Sequence, residues 1–150
     1  MRTILLRRNW VAAMLAVGAV GILASCSTGP MSGMMYGQTI ALSGANEVPA
    51  VTTSASGSGT VTINPDRSVT ATITVTGMTA TASHIHEGAA GANGPVIVPF
   101  TKTGDNTFAA ADGAKLTESQ YASYKAGNLY VNVHSAKNPG GEVRAQLKAM

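Results

Sequence analysis

The chain of 150 residues holds three histidines, and two of them, His84 and His86, stand two apart in Ser83-His84-Ile85-His86-Glu87. On a β-strand that spacing sends both imidazoles from one face while Ile85 turns to the other. The third, His134, ends Tyr130-Val131-Asn132-Val133-His134, where Val131 and Val133 form the inward set and Tyr130, Asn132 and His134 the outward one. If these two strands are neighbours, three neutral imidazoles converge. Such donors suit copper, zinc or nickel, and three of them leave a position open for water or another ligand. The competing reading is a hydrogen-bonded histidine pair that fixes the glycine-rich loop Gly88 to Gly94 behind it. Glu87 is a candidate acceptor behind the ligands, although alternation places it on the Ile85 side. Glu142 and Arg144, also two apart, could join a network with Glu87 or Lys137, but read energetically as a solvated pair of little weight.

Other chemistry is thin. The chain has no Ser/His/Asp signature, no phosphate-cradling glycine loop and no helical zinc motif. Its seven carboxylates are spread singly, which offers no acid/base pair. No enzymatic activity is expected on these grounds. Met31, Met34 and Met35 form a thioether cluster that would suit Cu(I), although a linker that happens to carry methionine is the preferred reading.

The elements that would position the histidines follow a period of two. Ile40 and Leu42 alternate with Thr39 and Ala41, Val61 and Ile63 with Thr60 and Thr62, and Val69, Ala71, Ile73 and Val75 with serine and threonine. Such alternation marks strands with one buried and one wet face. Asn64-Pro65-Asp66-Arg67 and Asn138-Pro139-Gly140-Gly141 carry turn chemistry, the first linking an antiparallel hairpin. Further strands are expected at Ser83 to Glu87, Val96 to Phe100, Thr107 to Ala111, Leu129 to His134 and Glu142 to Leu147. Thr117-Glu118-Ser119-Gln120 fits a capping box, with Gly127 as the stop, so one short helix is expected there. About eight antiparallel strands and one helix give an all-β sandwich or barrel.

The first quarter of the chain reads differently. Arg2, Arg7 and Arg8 precede an apolar stretch from Trp10 to Ala24, and Leu23-Ala24-Ser25-Cys26 follows. This arrangement resembles a bacterial lipoprotein signal, shorter than the roughly 20 apolar residues of a membrane span. The resemblance implies removal of residues 1–25, lipidation of Cys26 and attachment to the membrane through that anchor. Residues 26–37, rich in Ser, Gly and Met, then read as a flexible tether, and 38–150 as one domain. The ten basic residues exceed the seven acidic ones only through the three leader arginines, so the mature chain is neutral and has no electrostatic footprint for nucleic acid. With its one cysteine acylated, the domain would hold no disulfide, thiol nucleophile or thiolate metal site. An exported, lipid-anchored protein of the bacterial envelope is expected, on the outer membrane or periplasmic face, since Ser27 lacks the aspartate of inner-membrane retention in the enterobacterial lipoprotein family.

Four segments in order resemble the successive motifs of the CHRD (chordin-type) domain family. They are Ala41 to Pro49, then Ser83 to Gly88 with Asn93 to Val96, then Gly127 to His134, and finally Pro139 to Leu147. The resemblance implies an immunoglobulin-like all-β fold over residues 38–148 and assigns no activity. Ala145 replaces a glycine common in that family. His84-Ile85-His86-Glu87 is also similar to the copper-ligand strand of copper-zinc superoxide dismutases, but no bridging histidine, zinc loop or disulfide accompanies it. Three functions are therefore carried forward. The first is a non-catalytic module binding copper or zinc through His84, His86 and His134. The second is a metal-free module for a protein or polysaccharide partner, and the third a dismutase-like enzyme.

Overall fold

The computed structural model describes residues 37–150; the leader, Cys26 and the methionines at 31, 34 and 35 lie outside the described residues. Eight antiparallel strands close into a barrel: β1 (Gln38–Ser43), β2 (Ser56–Ile63), β3 (Val69–Thr76), β4 (Ala80–Glu87), β5 (Val96–Gly104), β6 (Thr107–Ala110), β7 (Leu129–Ser135) and β8 (Val143–Gln146). Around the barrel the order is β1-β2-β3-β6-β5-β4-β7-β8. Of the two all-β architectures expected, the closed one is realised.

Alternation explains how the wall forms. In β3, Val69, Ala71, Ile73 and Val75 are buried and the threonines between them exposed. Its partner β2 runs in full register from Ser56 opposite Thr76 to Ile63 opposite Val69. Gly59 permits that close fit, because a Cβ there would lie 2.2 Å from the Thr72 carbonyl oxygen. The Asn64–Arg67 turn closes with an Arg67 N–H donating to the Asn64 carbonyl, and Arg67 takes a positive φ of 74°. Inside the barrel Val61, Ile73, Ile85, Val131, Val133 and Val143 are fully buried, and removal of such side chains from water is the main stabilising force.

The helix α1 (Glu118–Lys125) starts at the expected capping box, Thr117 and Gln120 bonding reciprocally. Gly127 follows with φ +76°, and Tyr124 carries the helix into the core. Strands β4 and β5 are longer than the sequence suggests. The small residues Ala80-Thr81-Ala82 hide the start of β4, which is irregular against β7 there. The barrel's seam is narrow: β1 and β8 pair only at Ser43 and Arg144. Gln38 extends the closure by exchanging two side-chain hydrogen bonds with the Lys148 backbone.

Candidate metal centre

Strand β4 lies between β5 and β7, so the His84–His86 pair sits mid-wall. The register sets His84 opposite Asn132, His86 opposite Tyr130, and Ala82 opposite His134. With Ile85, Val131 and Val133 claimed by the core, the alternate side chains must point to the outer face. There the three imidazoles meet as the spacing implies: one ring nitrogen from each lies within 4.8 Å of the others. Nδ1 of His84 is 3.0 Å from Nε2 of His134. Nitrogens bound at about 2.0–2.1 Å to one tetrahedral ion stand roughly 3.3 Å apart, so shifts of about 1.5 Å or less close the distances among the three.

The hydrogen bonds behind the rings select the tautomers. The Nδ1–H of His86 donates to the Gly94 carbonyl, 2.9 Å away, and that of His134 to the Pro139 carbonyl, also at 2.9 Å. Each leaves its Nε2 as a lone pair, and a backbone acceptor behind a ligand histidine is what orients it toward a metal. His84 can donate from Nδ1 to His134, a bond that a tautomer shift releases. Nε2 of His86 is buried and has no hydrogen-bond partner.

Electrostatics keep the rings neutral. Burial, then the neighbouring His134 and His86, push His84 down to about 4. Burial also lowers His86, against the Gly94 bond, and lowers His134, against the Pro139 bond. All three are in the form that coordinates metal at neutral pH.

The outer face here is covered rather than wet, which corrects the expectation for Glu142 and Arg144. Both are buried, at 5% and 1% exposure, and they do not act as a solvated pair. Arg144 stacks over Tyr130, its Cζ 3.4 Å from the ring centroid, and donates to Ala89 and Ala92 carbonyls and to Asn93. It thereby pins the loop that presents Gly94. Tyr130 in turn lies parallel to His86, with centroids 4.8 Å apart. Glu142 accepts hydrogen bonds from the Thr53 and Ser135 hydroxyls. Glu87 does not support the histidines either. It accepts from Ser123 of α1, on the far side of the strand, as alternation implies. The acceptors behind the imidazoles are instead main-chain carbonyls, which no residue type announces. Tyr130 and Asn132 lie on the face that alternation gives them, but their burial depends on loops folding back over it.

The family model described as CHRD domain matches residues 38–147. No curated protein and no solved structure matches the chain.

Proposed function

The chain belongs to the CHRD domain family, and from that membership and the imidazole cluster we propose a non-catalytic envelope module that binds a copper or zinc ion through His84, His86 and His134. The observation that carries the reading is the convergence of three neutral imidazoles, two of them with Nδ1 tied to a carbonyl and Nε2 turned toward the cluster. Borderline metals with imidazole preference fit this donor set. Cys26 would supply the lipid anchor and so place the ion at the membrane surface of the envelope.

Calorimetric titration of the purified, untagged protein with Zn(II) or Cu(II) tests the reading. One ion per chain is expected near neutral pH, with weaker uptake in His84→Ala, His86→Ala and His134→Ala. Negligible uptake by the wild type contradicts it. Uptake unchanged in all three variants would move the metal elsewhere, Met31, Met34 and Met35 being next to test.

A second reading rests on the bond from His86 to Gly94, which ties down the loop after β4. In it the histidines hold a metal-free surface for a protein or polysaccharide partner. The same substitutions would then lower the melting temperature of a protein that takes up no metal.

A further inference from the structure

We propose that the side-chain oxygen of Asn132 is a fourth ligand, so that the site holds its ion with three imidazole nitrogens and one amide oxygen. The inference rests on the metal reading of the histidine cluster and names what completes it.

Asn132 lies directly opposite His84 in the β4–β7 register, between Tyr130, which faces His86, and His134 on its own strand. Directly opposed residues on one face of an antiparallel pair have Cβ atoms about 4.5–5.5 Å apart, so the amide stands among the three rings. The residue is 2% exposed. Its Oδ1 is buried without a hydrogen-bond partner, as is Nε2 of His86, and the amide is close enough to His86 to act on its protonation.

The orientation of the amide follows from what surrounds its other end. Nδ2 donates weakly to the Gly140 carbonyl at 3.4 Å. A Cβ built on Gly141 would lie 2.6 Å from Nδ2 and 2.5 Å from Oε1 of Glu47, so the nitrogen and that carboxylate crowd the same glycine. The Gly140 carbonyl can only accept, which requires the N–H end of the amide there and turns Oδ1 away. On the other side, Nδ1 of His86 is already committed to Gly94, so Nε2 presents a lone pair. Two buried lone-pair acceptors in one place each forfeit a hydrogen bond, a cost of about 1–3 kcal/mol apiece. A cation between them removes both costs; imidazole suits copper and zinc, and an amide oxygen is known beside imidazole as a further, weaker ligand in copper sites.

For zinc, a site closed by four protein ligands has the form of a holding site, whereas catalytic zinc centres keep a position for water or substrate.

Zinc titration of the full chain in three forms tests this: wild type, Asn132→Ala and Asn132→Asp. As a ligand, Asn132 gives a loss in the alanine chain of at least the roughly 100-fold that marks the upper end for outer-shell partners, while the aspartate chain, which keeps the oxygen and adds charge, binds at least as tightly as wild type. If Asn132 served only as a donor to Gly140, the aspartate chain would be weakened like the alanine chain, and the inference falls. Wild-type affinity in the alanine chain also overturns it. Should the alanine chain fail to fold, the aspartate chain decides alone, by retained or lost affinity. Absence of uptake by the wild type is a different failure: it removes the metal reading itself, whereas a metal-binding wild type with an indifferent Asn132 removes only the fourth ligand.

Discussion

Glu47 shows how one residue sets the pH response of the covered face. Its carboxyl is pushed up to about 7, chiefly by burial and against the pull of Arg144 and the Val48 backbone. A group whose folded pKa lies above its unfolded value stabilises the fold below the unfolded value, here 4.5, and loses that contribution as pH rises through 7. His84 acts in the opposite direction, since its folded value of about 4 lies below the ordinary 6.5. Its contribution is complete above 6.5 and is lost as pH falls toward 4. Between about 4.5 and 6.5 the two slopes oppose each other, with His86 and His134 adding to the histidine side. Glu47→Gln removes the opposing slope. The metal-free variant should melt higher than wild type at pH 8, with the advantage shrinking as pH falls toward 4.5; thermal melts across that range check this, and a difference independent of pH would contradict it.

At the scale of the element, β3 offers the cleanest test of which face is which. Ile73 is fully buried and its neighbour Thr72 exposed. Ile73→Lys places an unpaired charge in the core at a cost of several kcal/mol, comparable with the whole stability of a domain. Thr72→Lys should change stability by about 0.5 kcal/mol or less. Denaturant unfolding of the two variants separates them, and equal midpoints would mean the faces are misassigned. The same alternation made most of the wall readable in the sequence, because period two reports directly which side chains the core claims. It also made the His84–His86–His134 grouping readable, since Ile85 and the two valines of β7 leave those rings no other direction. It could not show that the face bearing them is roofed. That depends on Arg144 reaching three acceptors in the Gly88–Gly94 loop, and on Gly94 and Pro139 presenting carbonyls. The Arg144 contacts join residues 51 to 55 positions apart and the histidine bonds end on backbone carbonyls, and hydrophobic periodicity carries no record of either. Arg144 read as solvated for the same reason: its spacing from Glu142 is visible, its burial is not.

At the scale of the whole molecule, the barrel has an apolar interior and an exterior of threonines along β3, the pattern of a wall facing water rather than lipid. Among the described residues no helix is long and apolar enough to cross a membrane. In the proposed arrangement Cys26 carries the attachment to the envelope, and Cys26→Ser should shift the protein from the membrane fraction to the soluble one, because diacyl attachment supplies what a neutral tether lacks. An unmodified Cys26 in mature wild-type protein, found by mass spectrometry, would count against the anchor. The histidine site is the central claim, and the most direct measurement is the anomalous diffraction of crystals grown with stoichiometric zinc, recorded on both sides of the zinc edge. The account predicts one strong peak on the outer face of β4 and β7, about 2.0–2.1 Å from Nδ1 of His84 and from Nε2 of His86 and His134. A cluster without a peak, with the His84–His134 hydrogen bond intact, would contradict it.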